Sequence, residues 1–332
     1  MANNTSLNRL KTGLCLLPPL LLAIFFYLHF ETQIGVLSPI CRCAAARKPV
    51  AVNNHVDRLR ASATFLPLKD TRQGAETWFI STLNATSEPE GEARNLVFPS
   101  AASSGRLLCL AAPSRRDGTK NAYALAWRDA LPHGAALLPG LAFVSETAYD
   151  HSNIWHGLTS LVPFASWHER SGCRARPARW ALFHHGEVRT EMSGGLATLA
   201  EATTGVKVAI ETFERPSPVC FEEAVVFRAN VAGMNKERML RAADFMRCKA
   251  RANCGVENVT KADSSSALLR CARVDAGCAV AAVRVGNMTF CEQVKLLSAT
   301  DVLISAHGAQ MSNLLFMDRN SSVMELYPMG WK

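Results

Sequence analysis

The hydrophobic pattern of this chain changes period several times, and each change marks an element. Residues 14–30 form one uncharged apolar run. From 31 to about 69 no sustained periodicity remains, and Ala, Pro and Arg are frequent, as in a stem between folded parts. Further along, short apolar blocks of strand length alternate with longer blocks of helical spacing. Strands are expected at 140–144, 180–183, 206–211, 224–227 and 279–283, and helices at 156–167, 196–203 and 235–252. Pro163 should interrupt the first helix, because proline lacks the N–H that an interior turn uses. In the third helix Met239, Ala243, Met246 and Ala250 recur at helical spacing and read as core, with Gly255 near its end.

The most regular block lies near the C-terminus. Thr289 and Glu292 have capping-box spacing and open a helix that carries Gln293. A buried strand follows around Val302-Leu303-Ile304, then the small-residue turn Ser305-Ala306-His307-Gly308-Ala309. A second helix (310–316) and a second apolar strand (322–326) complete an α-β-loop-α-β unit. Alternation of strand and helix implies the α/β class with a parallel layer. In open α/β sheets ligands bind beyond the carboxyl ends of the strands. Backbone N–H groups at the start of the next helix attract anions such as a diphosphate. Pro216 and Pro218 punctuate the pattern. The expected division is a basic tail 1–13, a transmembrane anchor 14–30, a stem 31–70, an N-terminal α/β domain 71–215 and a C-terminal nucleotide-binding α/β domain 219–332.

Arg9 and Lys11 precede the apolar run, which favours an N-in orientation with the bulk of the chain in a lumen. The run is near the short limit for a span of about 20 residues, so a cleaved signal peptide is the rival reading. The net charge of +8 comes from scattered arginines, with no basic run and no zinc-finger or RNA-binding signature, so no nucleic-acid partner is expected. The 11 cysteines show no zinc spacing and suit disulfides or buried thiols in an oxidising compartment. Asn84, Asn258, Asn287 and Asn320 each begin an N-glycosylation triplet.

The string Gly286-Asn287-Met288-Thr289-Phe290-Cys291-Glu292-Gln293, with Asp301-Val302-Leu303-Ile304, His307-Gly308-Ala309, Asn313-Leu314-Leu315-Phe316 and Glu325-Leu326-Tyr327-Pro328, resembles the signature of glycosyltransferase family 61. A weaker resemblance reaches back to about Phe143. It implies a GT-B-type architecture, two Rossmann-like domains facing a cleft. It implies inverting transfer of N-acetylglucosamine, xylose or arabinose from a UDP-sugar to a hydroxyl of a glycan or glycoprotein, in a Golgi or ER membrane protein of type II. No Asp-x-Asp triplet is present, which fits a design without an essential metal or other cofactor. The family continues with further helices after the last strand, so the chain is expected to be C-terminally incomplete relative to it.

Inverting transfer requires that the donor diphosphate be held, its leaving charge stabilised and the acceptor hydroxyl deprotonated. On the donor side, Gly308 and Ala309 let backbone approach a phosphate, and His307 can donate to a phosphate oxygen or cap the turn. Ser312 and Asn313 can cap the following helix or touch phosphate. Glu325 can accept from ribose hydroxyls or stand as an exposed strand-end acid. Gln293 reads as structural or as a nucleotide contact. Arg270 and Arg273 stand in for an arginine-rich segment that the resemblance implies. On the acceptor side, Asn153 and His156 match the family's Asn-x-x-His segment. His156 is a candidate base or a buried, satisfied histidine. Ser160 replaces the acid that usually follows, with Asp150 or His151 as a substitute. That replacement leaves open a catalytically inactive lumenal glycan- or nucleotide-binding protein.

Overall fold

The fold, a computed structural model, describes residues 63–69, 95–146, 154–227, 234–256, 269–270 and 279–330. The expected anchor 14–30 and nearly all of the stem lie outside the described residues. Among the described residues no helix is long and apolar enough to cross a membrane.

The larger part is an eight-stranded mixed sheet. It contains β1 (Leu66–Pro67), β2 (Asn95–Phe98), β3 (Leu107–Ala111), β4 (Ala122–Ala126), β5 (Ala136–Glu146), β6 (Pro177–His184), β7 (Glu187–Arg189) and β8 (Val219–Phe227). The order is β1-β4-β3-β8-β5-β6-β7, and β2 pairs with the far end of β8. Only β8, β5 and β6 run parallel to one another; the remaining pairs are antiparallel. The crossover from β5 to β6 is α1 (Ile154–Arg170), followed after β7 by α2 (Gly194–Thr204) and after β8 by α3 (Lys236–Asn253).

The two larger of three buried clusters among the described residues follow from the alternation of side chains along strands. Phe143, Trp180, Leu182, Val225 and Phe227 face the helical layer. Their neighbours Ala142, Val144, Ala181, Phe183, Ala224 and Val226 face the concave side, where the sheet curls over them with Leu96, Phe98, Leu108 and Leu110. The centre of the helical side is aromatic: Phe164 of α1 lies with its ring centroid 3.8 Å from Phe227 and 4.8 Å from Trp180. This packing carries α1 straight through Pro163, against the expected interruption. Burial of the apolar face outweighs the local helix penalty, as tertiary context often does.

The smaller part is the expected α-β-loop-α-β unit. It comprises α4 (Phe290–Ser298), β11 (Val302–Ala306), a 3₁₀ helix (Ala309–Phe316) and β12 (Ser322–Leu326). β11 and β12 pair in parallel with Ser305 opposite Glu325. A short hairpin, β9 (Leu269–Arg270) with β10 (Ala279–Val280), precedes it. The capping box of Thr289 with Glu292 is formed in both directions, and Asn235 caps α3 through Arg238 N–H.

The division at 215–219 needs correction as a boundary between strands. The block 224–227, read as opening the second domain, is the end of β8, in the middle of the large sheet. Pro216 and Pro218 only turn the chain back into it. The smaller unit begins after α3, and its inner face joins the helical core through Val294, Leu297, Met311, Leu314 and Phe316. Two expected strands shrink: 206–211 contributes one bridge, Ile210 to Trp180, and 279–283 contributes only the two residues of β10.

α3 fastens the two parts. Arg241 clasps the buried Glu169 of α1 at 2.6 Å. Arg247 and Arg251 donate to the carbonyls of Met317 and Phe316, just where the 3₁₀ helix ends. Asp244 pairs with both Arg247 and Arg319. Disulfides join Cys109 to Cys220, across paired strands, and Cys254 to Cys291, from the end of α3 to α4. Cys173 and Cys248 are also disulfide-bonded. Among the described residues the cysteines thus serve as cross-links, one of the two alternatives expected for them.

Candidate functional site

The parallel pairing of β11 and β12 brings together side chains that are far apart in sequence. His307 follows β11, and its N–H donates to Leu326 O at 2.8 Å, extending the ladder by one residue. The imidazole then meets Glu325, with Nδ1 2.5 Å from Oε1. The other carboxylate oxygen accepts from Tyr327 O–H at 2.8 Å. The Tyr327 ring stacks on His307, with centroids 5.0 Å apart and planes 23° from parallel. An ionised carboxylate only accepts, so Nδ1 of His307 is the donor and Nε2 is turned to the far side of the ring.

Glu325 is therefore not an exposed strand-end acid: its side chain is buried. Both of its oxygens accept a hydrogen bond, one from His307 and one from Tyr327, and each keeps a second lone pair. It orients the histidine. Tyr327 was not singled out from the sequence. Its signal was there: it lies two residues after Glu325, the spacing that returns a strand side chain to the same face.

Beyond His307 the chain opens. A Cβ placed on Gly308 would meet nothing within 4 Å, so packing does not demand glycine there. The unfilled space lies at the start of the 3₁₀ helix, where the first N–H groups have no partner within a helix. Ala309 is the first residue of that helix, with Gly308 at its N-cap. Ser312 and Asn313 lie inside it rather than at its start, and both are buried. Asn313 Nδ2 donates to Gln293 Oε1 at 3.1 Å, and Gln293 Nε2 donates to Met288 O at 2.9 Å. Gln293 thus ties the loop before α4 to the 3₁₀ helix. Ser312 Oγ and Asn313 Oδ1 are buried with no hydrogen-bond partner, and such groups ordinarily find one.

Arg270 lies on β9, whose backbone runs beside β11. Arg273 lies outside the described residues. So do Asp150, His151 and Asn153 on the acceptor side. His156 is described, in the first turn of α1, and it is exposed rather than buried. Its carbonyl accepts from the hydroxyls of Thr159 and Ser160. Ser160 is buried and turned back onto its own helix, so it offers no substitute for a carboxylate. α1 itself packs against the 3₁₀ helix through the shared core.

A carboxylate does stand elsewhere at the same edge of the large sheet. Glu146 ends β5, beside the carboxyl ends of its parallel neighbours β6 and β8. Its Oε1 accepts from His185 N–H at 2.8 Å, and the His185 ring lies 3.8 Å away. Burial pushes its pKa up to about 7, against the lowering effects of the His185 N–H and of Lys69. A carboxyl poised near neutrality is suited to taking or giving a proton. In the sequence its one signal is an acid closing an apolar strand. Among the described residues, no group of three or more His, Cys, Asp or Glu side chains is placed to hold a metal ion.

Comparison with known proteins returns one family. The model described as Glycosyltransferase 61 matches residues 265–324. That span runs from just before β9 into β12; it holds Gln293, His307 and Asn313 and stops one residue short of Glu325. No curated protein matches the chain.

Proposed function

We propose, for a chain that belongs to glycosyltransferase family 61, that it moves a sugar from a UDP-sugar to a hydroxyl of a glycan or glycoprotein, with inversion at the anomeric carbon. N-acetylglucosamine, xylose and arabinose are the candidate sugars. The observation that carries the reading is the constellation of His307, Glu325 and Tyr327 beside the open turn at Gly308, at the carboxyl end of a parallel strand pair.

In this reading the diphosphate lies over Gly308 and Ala309. Backbone N–H groups of the first 3₁₀ turn face it, and His307, as the imidazolium that donates from both ring nitrogens, donates from Nε2 to the phosphate next to the breaking bond. Glu325 holds the ring in place so that this donor is oriented before the substrate arrives. Preorganised donors aimed at developing charge are commonly the largest catalytic contribution. Arg270 and Arg273 are proposed to add positive charge, and no metal is proposed as essential. On the acceptor side a base takes the hydroxyl proton as the oxygen attacks the anomeric carbon and the diphosphate leaves with the bonding electrons. Glu146, His156 and Asp150 are the candidates, and Glu146 has the best-suited environment. Asn153 is proposed as an acceptor contact.

The same reading includes a GT-B-type cleft between the two parts, an N-terminal anchor at 14–30 and a Golgi or ER lumenal position. The disulfides support the compartment, because such bonds persist in oxidising surroundings. A second reading, a nucleotide- or glycan-binding protein without turnover, is favoured by one observation: Ser160 occupies the usual acid position and is spent on its helix.

The test is UDP release from a panel of UDP-sugars with mixed glycan acceptors, using wild type and His307→Ala. Acceptor-dependent release with one sugar, lost in the variant, establishes the transferase. UDP binding without release by folded wild-type protein selects the second reading.

A further inference from the structure

The geometry points to Asn287 as the attachment site of an N-linked oligosaccharide at the rim of the proposed donor site. This inference rests on the proposed lumenal setting, and it concerns a residue that the transfer reaction does not use.

Three observations converge. Asn287-Met288-Thr289 is an acceptor triplet with a residue other than proline in the middle. Asn287 is exposed at the end of a short 3₁₀ helix (Val285–Asn287), after which the chain turns extended at Met288. The segment before it is also exposed and apolar: Val280 is 74% accessible and Val283 39%. A bulky, solubilising glycan is an effective cover for such a surface. The cross-linked cysteines support the proposed oxidising compartment, the kind where such glycans are added.

The fold also constrains when attachment occurs. Thr289 Oγ1 lies 2.8 Å from Glu292 Oε2, and Thr289 N–H donates to the same oxygen at 2.7 Å. Once α4 is capped, the threonine hydroxyl that the triplet requires is engaged. Attachment therefore precedes closure of the cap. In that step Asn287 Nδ2 bonds to the anomeric carbon of a lipid-diphosphate-linked oligosaccharide. The bond from that carbon to the diphosphate oxygen breaks, the lipid diphosphate leaves with the electron pair, and the amide gives up one proton.

The position sets the consequence. On one side of Asn287, the carbonyl of Met288 accepts from Gln293, which in turn holds Asn313. On the other, a Cβ on Gly286 would lie 4.0 Å from Gln310 Nε2, in the second residue of the helix that follows the donor turn. The glycan stands beside the entrance, outside the bonded framework. Asn320 offers a contrast. It too is exposed, but its turn is tied to Asp244 through Arg319 and to Thr300 through Ser321.

The test uses the full chain expressed in a secretion-competent eukaryotic cell, with glycan release and mass spectrometry of the Asn287 peptide. The expected result is a modified peptide in wild type, loss of one glycan step in Asn287→Gln, and retention in Thr289→Ser, which keeps both the hydroxyl and the cap. An unmodified Asn287 peptide overturns the inference. If Asn84, Asn258 or Asn320 carries a glycan in that case, the lumenal reading survives and only this inference falls. If no glycan is found and Cys109 and Cys220 react as free thiols, both fall together.

Discussion

β8 and β12 are both apolar strands in parallel pairs, yet they are treated differently. In β8, Val225 and Val226 point to opposite faces and both are buried, one under the helices and the other under the curl of the sheet. In β12, Val323 packs inward while Met324 and Leu326 are 56% and 52% accessible, and Ile304 on β11 is 49% accessible. Parallel sheets are ordinarily covered on both faces. The difference shows that an apolar run announces a strand without saying how many of its faces will be covered. It also separates scaffold from site: the large sheet is closed around its side chains, whereas the small pair keeps an edge where His307 and Gly308 meet solvent.

The contrast can be broken most forcefully at the centre of the closed part. Phe164→Ala removes the ring that joins α1 to Phe227 and Trp180, and should cost about 3–5 kcal/mol in denaturant unfolding. A loss below about 1 kcal/mol would show that the aromatic centre is not tightly packed. Asp244→Ala attacks the fastening between the parts. It leaves Arg247 buried beside other arginines, and should cost about 3 kcal/mol, reduced by the partial exposure of Arg319. Unfolding followed by two probes, one in the large sheet and one in the small unit, should then lose coincidence.

Glu146 gives a pH-dependent prediction. Its carboxyl ionises near 4.5 in the unfolded chain and near 7 in the folded one. The folded state therefore holds the proton longer, and stability falls as pH rises through that window. The loss is on the order of 3 kcal/mol at most, from the free energy per unit of pKa. Glu146→Gln should unfold like wild type near pH 4.5 and be the more stable of the two at pH 8. Equal midpoints at both pH values would refute the burial argument.

Smaller effects belong to the open edge. Glu325→Gln keeps the shape but weakens the hold on His307, and should weaken UDP binding about tenfold by calorimetry, the equivalent of about 1.4 kcal/mol. Smallest of all, Met324→Thr on the uncovered face should change stability by less than about 0.5 kcal/mol. A loss of 2 kcal/mol or more would mean that this face is covered in solution.

Much of this was legible residue by residue. The capping box at Thr289, the helix under Met239 and Met246, and the α-β-loop-α-β order around His307 all depend on neighbours within a few positions. What failed depended on distance. The block 224–227 was legible as a strand, but nothing local says that β8 pairs with β5, β3 and β2 instead of starting a new sheet. β2 to β4 carry no such local signal, because their Leu, Ala and Cys residues show no clean alternation when both faces are buried. Glu146 looked like any strand-end acid until burial changed its chemistry. The side-chain partner of Gln293, Asn313, sits 20 residues away, beyond the reach of any local pattern.

The sequence by itself determined the local elements, the small-residue turn after β11 and the family signature, because caps, turns and side-chain periodicity are written in adjacent residues. Only the tertiary structure decided that Glu325 serves His307 rather than solvent. The two are 18 positions apart, and they meet because β11 and β12 pair in one parallel register. A shift of one residue would have turned the carboxylate to the opposite face. Leu303 and Val323, opposite each other in that register, both pack partly buried against the helical core, a condition set by the whole fold and not by any stretch of the chain.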